Sequence, residues 1–125
     1  MSECDVNAAD SQPEISGTRD AFYLAHMLEC IESIENYAAA HNIELDELTQ
    51  DAVLRKLQLL TESSKRVSAE RKAAYPLVPW RELAGFRNVV VHDYLGIRIE
   101  RILPIVRDDI PGLKVQILAI LVAIG

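Results

Sequence analysis

Apolar residues along this chain recur mostly at spacings of three and four, the period of an α-helix rather than the alternation of a strand. From Arg19 to about Ala40, the residues Leu24, Leu28, Ile31, Ile34 and Ala38 keep that spacing, with Glu29, Glu32 and Glu35 between them. They predict an amphipathic helix of about five to six turns. Thr18, just after Gly17, is the expected N-cap, and Asn42 is the expected stop. A second helix is predicted from about Asp46 to Val67 on Leu48, Ala52, Leu57, Leu60 and Ser64. Its acidic start and its Lys65-Arg66 end suit the helix dipole.

The stretch Tyr75-Pro76-Leu77-Val78-Pro79-Trp80 cannot be helical throughout, because each proline drives the residue before it out of the α region. It reads as a stiff connector, with Pro79 at the first position of a third helix, where a missing N–H costs nothing. Val89-Val90-Val91 then favours a strand by residue type. Length decides for a helix over 79–93, since no turn signal comes before Gly96 and a lone strand would leave its backbone groups unpaired. A fourth helix is expected from about Arg98 to Asp109, kinked or divided by Pro104. Pro111 opens a last helix that is almost wholly apolar from Ile117 to Ile124. That run is shorter than the ~20 residues a bilayer needs, so no membrane association is expected. It is either a core helix or one that also buries a subunit interface.

Four or five helices with short connections imply an all-α, antiparallel helical bundle. Residues 1–17, polar and acidic, are expected to form a flexible N-terminal tail, and residues 18–125 one helical domain. The first sixteen residues hold no apolar run of the kind a secretory signal needs. Cys4 and Cys30 match no disulfide or zinc spacing. Two free thiols in a reducing cytoplasm are the expectation, with no metal site.

Charge refines the picture. The net charge of −6 argues against bulk, non-specific nucleic-acid binding. Yet residues 1–60 carry 3 Lys/Arg against 12 Asp/Glu, whereas residues 61–107 carry 9 against 5. The middle of the chain is thus locally basic, as an anion-handling site requires, although ordinary solvated helix faces give the same counts.

That basic segment holds the one suggestive constellation. His26 reads as a surface or packing residue and His41 as a helix-end charge. His92 has company: Arg87 five residues before it, Asn88 one helical turn before it and Tyr94 two residues after it. On a helix Asn88 and His92 are about 40° apart and Arg87 and Tyr94 about 20°, but Arg87 and His92 are about 140° apart. A single straight helix therefore does not join them, and a second subunit is one way to close the gap. A histidine that moves the ribose 2′-hydroxyl proton and an arginine that holds the phosphate would suit phosphoryl transfer on RNA without a metal. On residue types alone the signal is weak, and a core helix with polar ends is the favoured reading. GxGxxG, GxxxxGK[ST], HExxH and GxSxG are all absent from the sequence, and no cofactor is expected.

Arg87, four residues, His92, one residue and Tyr94 match the RX4HXY motif of HepT toxins, within the HEPN superfamily of helical ribonucleases. Tyr23-Leu24, the run Asp51 to Leu57, Tyr75-Pro76, Pro79-Trp80 and the run Asp109 to Leu113 resemble HepT landmarks in order, so the likeness covers roughly residues 19–115. It departs at Thr61-Glu62-Ser63, where the family commonly has Gly-Glu-Ala. The resemblance implies a HEPN-type bundle, a homodimer whose two motifs share a cleft, and metal-independent cleavage of mRNA or tRNA. It further implies a toxin of a type VII toxin-antitoxin system, partnered by an MntA-like nucleotidyltransferase antitoxin in a hetero-oligomer. Arg87 and His92 would be catalytic and Asn88 supporting, with Tyr94 both a site residue and the acceptor of AMP. A different reading is a non-enzymatic helical dimer that docks a nucleotidyltransferase.

Overall fold

The structure, a computed structural model, describes the backbone of residues 13–92 and 99–125 and the side chains of residues 19–86 and 100–125. Its elements are α1 (Pro13–Ala40), α2 (Glu47–Arg66), α3 (Ala69–Ala74), α4 (Trp80–His92), α5 (Ile99–Pro104), a π-helical turn (Ile105–Asp109) and α6 (Ile110–Ile124). All regular structure among the described residues is helical, as the bundle reading requires. The α1–α2 hairpin forms the main body, with α4 packed on α2 and α6 packed on α1.

Residues 41–46 make the hairpin turn. The Asn42 side-chain oxygen accepts from the Glu44 N–H at 3.0 Å, and its carbonyl accepts from the Asp46 N–H at 2.8 Å, a local alternative to continuing the helix. Asp46 then caps α2: one carboxylate oxygen accepts from the Leu48 N–H at 3.2 Å and the other from the Thr49 hydroxyl at 2.6 Å. His41 lies 3.8 Å from the same carboxylate. The expected second helix is thus confirmed, and the structure adds its cap.

Two expectations need correction. Helix α1 starts at Pro13 rather than after an N-cap at Thr18. A proline at the first position loses no hydrogen bond, and Gly17 inside the helix costs only about 1 kcal/mol. On α2 the predicted Leu57, Leu60 and Ser64 are buried, but at the start of the helix Thr49, 5% exposed, and Val53 point inward instead of Leu48, which is 80% exposed. Both registers have helical spacing, but only that of Thr49 and Val53 points at α1. Helix α2 ends where expected, at Arg66, and a separate one-and-a-half-turn helix, α3, lies between it and the connector.

What fixes α3 is a buried carboxylate. Asp20 on α1 is 3% exposed and accepts from the Ser68 N–H at 2.8 Å, the Ser68 hydroxyl at 2.6 Å and the Arg71 guanidinium at 3.3 Å. The Ser68 hydroxyl oxygen in turn accepts from the Arg71 N–H at 3.2 Å, capping α3. A buried charge with this many donors is satisfied, and losing it strands the donors.

At the far end, Pro104 divides the predicted fourth helix as expected. Proline cannot donate to the carbonyl one turn back and crowds it. The chain widens at once into the π turn, where the Ile110 N–H reaches the Ile105 carbonyl, five residues back. The extra residue lets Ile102, Val106, Ile110 and Leu113 all reach the core. Helix α6 then buries Ile117 and Ile120 but leaves Val115, Leu118 and Val122 exposed. Lys114 on α6 donates to Glu35 on α1 at 2.9 Å.

Two stability tests follow from these contacts. Replacing Asp20 with alanine should cost about 3 kcal/mol and lower the thermal midpoint by roughly 10–15 °C, read by circular dichroism. The Asp46 carboxyl is held below the usual aspartate range, mainly by the Thr49 hydroxyl and then by the Leu48 N–H. Its folded pKa is the lower one, so its contribution is complete above about pH 4 and fades as pH falls through the folded value. Melting curves of Asp46→Asn should therefore lose part of the acid sensitivity shown by the parent chain.

Candidate functional site

Helix α4 carries the motif, and the chain before it fixes where α4 begins. The connector of residues 75–79 folds into a compact turn around the Tyr75 carbonyl. That oxygen accepts from the Val78 N–H at 3.2 Å and from the Trp80 indole N–H at 3.0 Å. Val78 is buried in the core, and Gln116 on α6 donates to the Leu77 carbonyl at 2.9 Å. The Pro79 carbonyl accepts the first helical bond, from the Leu83 N–H at 3.0 Å. Pro79 therefore stands just before the first helical residue instead of being it. The ammonium of Lys72, on α3, lies 5.9 Å from the centre of the Trp80 ring, a cation–π distance.

Leu83 and Phe86, half-buried, pack α4 against the core. Alongside them opens a groove of about 800 Å³ between α4, the π turn and α6, with Ile105 and Leu113 in its apolar lining. Its remaining lining includes Glu82, Asp108 and Asp109. Three carboxylates make it a poor seat for a phosphate, since like charges repel where solvent is partly excluded.

The structure places Arg87, Asn88 and His92 on the backbone of α4, which is continuous to His92. As register positions Asn88 and His92 are one turn apart, whereas Arg87 stays about 140° from His92. So α4 brings the first pair together and leaves the arginine on another side of the helix. The side chains of these three residues, and Tyr94 entirely, lie outside the described residues. Cys4 does too; Cys30 is a free, buried thiol whose pKa burial pushes up, which makes it unreactive. His26, expected to be a packing or surface residue, shares a 2.6 Å hydrogen bond with the Ser63 hydroxyl across the α1–α2 interface. Among the described residues no group of His, Cys, Asp and Glu side chains is arranged to hold a metal ion.

Comparison with known proteins bears on what such a helix is for. The family model described as ribonuclease HepT-like matches residues 27–120. The chain belongs to this family. The HepT-like chain is 37% identical over 95 residues to a protein named "Probable ribonuclease HepT" from Thermococcus cleftensis, covering 74% of this chain and 86% of that one. It is 32% identical over 105 residues to a "Putative RNase" of Caldanaerobacter subterraneus, 79% of this chain and 91% of the relative. It is also 34% identical over 102 residues to a "Gamma-glutamylcyclotransferase and putative RNase" of Methanocaldococcus jannaschii, where the match is 79% of this chain and only 46% of the longer protein. No solved structure matches the chain. The family supports a ribonuclease, and among the described residues of this HepT-like chain no helix is long and apolar enough to cross a membrane.

Trp80 is the sole tryptophan, so its emission reports on how α4 is seated. Trp80→Phe removes the indole bond to Tyr75 and weakens the interaction with Lys72, and should cost about 1–2 kcal/mol. In the parent chain the emission should shift to the red in the same denaturant transition that abolishes helical circular dichroism.

Proposed function

We propose that this HepT-like chain is the toxin of a type VII toxin-antitoxin pair, a metal-independent ribonuclease with Arg87 and His92 as catalytic residues and Asn88 and Tyr94 supporting them. The observation that carries the reading is that the Arg87–Tyr94 motif falls within the span matched by the family, residues 27–120, with Arg87, Asn88 and His92 on one helix.

In this reading His92 takes the proton of a ribose 2′-hydroxyl. The 2′-oxygen attacks the adjacent phosphorus, the bond from phosphorus to the 5′-oxygen breaks, and that oxygen leaves as a hydroxyl after protonation. A 2′,3′-cyclic phosphate remains. Because the nucleophile belongs to the substrate, the scheme calls for no metal-bound water. Arg87 offsets the charge that grows on the phosphoryl oxygens. Two copies of the chain facing each other would supply an arginine and a histidine from different helices to one phosphate. The exposed apolar ridge of Val115, Leu118 and Val122 on α6 is a surface that favours self-association. A free, buried Cys30 suits a cytoplasmic protein.

The off-switch in this reading is an MntA-like nucleotidyltransferase. The Tyr94 phenol oxygen attacks the α-phosphorus of ATP and pyrophosphate leaves, so an adenylyl group now sits on the motif. It adds bulk and negative charge where an RNA phosphate should bind, which blocks binding by sterics and repulsion.

Purified protein should cleave RNA in the presence of EDTA. Arg87→Ala and His92→Ala should each slow cleavage by about 10²–10⁴-fold while helical circular dichroism stays unchanged; full activity in either variant sinks the assigned roles. Co-expression with the partner should add AMP units to Tyr94 by intact and peptide mass. A chain that never cleaves RNA, yet co-purifies with the nucleotidyltransferase, is instead the non-enzymatic docking module.

A further inference from the structure

The groove beside α4 is rimmed by carboxylates, so substrate has to approach the helix elsewhere. Pro79, Glu82, Leu83 and Phe86 line that groove, which marks the side of α4 facing it. By register, Arg81, Gly85, Asn88 and His92 fall within about 60° of one another, and each lies more than about 100° from the centre of the groove side. Arg81, Ala84 and Gly85 are exposed, so this stripe faces solvent where side chains are described.

Gly85 is the informative member. Glycine inside a helix costs about 1 kcal/mol relative to alanine, and a Cβ built there meets nothing within 4 Å among the described residues. The packing of the described residues gives no reason for it. A bare helix surface in the middle of an exposed stripe suits the close approach of something outside the chain.

The charge at the start of the stripe says what. Among residues 65–81 there are five Lys/Arg and one carboxylate, Glu70, and of the five only Arg71 is ion-paired among the described residues, with Asp20. Lys72 links the others in space: its ammonium donates to the Lys65 carbonyl at 3.4 Å and lies over Trp80, the residue before Arg81. Lys65 and Arg81 are exposed. The Lys72 ammonium therefore lies at the start of α4, next in sequence to the exposed Arg81 and against the backbone of the exposed Lys65, about 16 Å along the axis from His92.

We propose that this stripe is the substrate track: a single RNA strand runs along α4 from the motif, passes closest to the helix at Gly85, and places phosphates against Arg81, Lys72 and Lys65. A second copy of the chain fits the Arg81 end of this face less well, because two such ends meeting would set their cations against one another. The proposal rests on the ribonuclease reading for the identity of the strand, but not for the existence of the surface.

Binding of a fluorescein-labelled single-stranded oligouridylate to the full-length His92→Ala chain, titrated over a range of salt, tests it. Lys72→Glu with Arg81→Glu should weaken binding by about tenfold or more and lower the salt slope by about 0.7 for each phosphate no longer neutralised. Gly85→Leu should weaken binding as well, while raising the melting temperature, because leucine is the better helix former; that pairing separates a blocked surface from a damaged fold. Unchanged affinity and slope in both variants overturn the track. A change in sedimentation mass in Gly85→Leu with unchanged RNA affinity also overturns it, and assigns the stripe to a second copy of the chain. Cleavage that stays unchanged when either variant is made in the chain with His92 intact sinks the track and leaves the ribonuclease reading standing, whereas RNA binding with the expected dependence but no cleavage by the parent chain upholds the track and sinks that reading.

Discussion

The Asp20 carboxylate is the group on which the geometry of α4 depends. Buried on α1, it holds the backbone and side chain of Ser68 and the guanidinium of Arg71, so the start of α3 is fixed against the first helix of the hairpin. The six residues of α3 would not hold a helix alone, since nucleation is too costly for so short a piece. Once α3 is held, its last turn presents Lys72 to Trp80 and its C-cap Tyr75 offers the carbonyl that binds the indole. The orientation of the motif helix is therefore set by a chain of polar contacts running from Asp20 through Ser68 and Tyr75 to Trp80, and the apolar packing of Leu83 and Phe86 completes it. Hydrophobic burial gives α4 its place in the bundle, but such burial is non-directional. Hydrogen bonds with fixed partners select its start.

Much of this was legible in the residues. The bundle, the start of α2 near Asp46, the stiff connector, the break at Pro104 and the opening of α6 near Pro111 all follow from local chemistry that acts within a few positions. What escaped the sequence was long-range. Asp20 sits 48 residues from Ser68, and nothing in the spacing of apolar residues says that a carboxylate in the first helix will end up as the anchor of a third. The signal available was Ser68 itself, a serine placed for capping before Ala69-Glu70-Arg71. The choice between Leu48 and Thr49 as the inward residue was equally out of reach, because two helical registers one residue apart differ only in which neighbour they meet.

The residues of the candidate site were legible as types and spacing. Their cooperation was not, because a helical projection describes one helix while a phosphate needs groups converging from more than one direction. The continuity of α4 to His92 sharpens the difficulty. A break between Arg87 and His92 could have swung the arginine round, but the backbone stays helical between them, so their angular separation of about 140° is a fixed property of the element.

The two sides of α4 consequently divide the physical work. The side carrying Leu83 and Phe86 and bordered by Glu82, Asp108 and Asp109 supplies burial and excludes anions. The side carrying Arg81 and Gly85 is exposed and, among the described residues, has no packing at the glycine and begins among unpaired cations. A helix that repels phosphate on one side and admits a close approach on the other imposes a direction on any polyanion that reaches it. Nothing in that asymmetry needs the net charge of the chain to be positive: at physiological salt the field of an exposed charge is screened within about 8 Å, so the proposed track depends on the local arrangement around α4 and not on the overall charge of −6. An acidic chain with a short basic face is thereby consistent with a protein that handles nucleic acid at one place only.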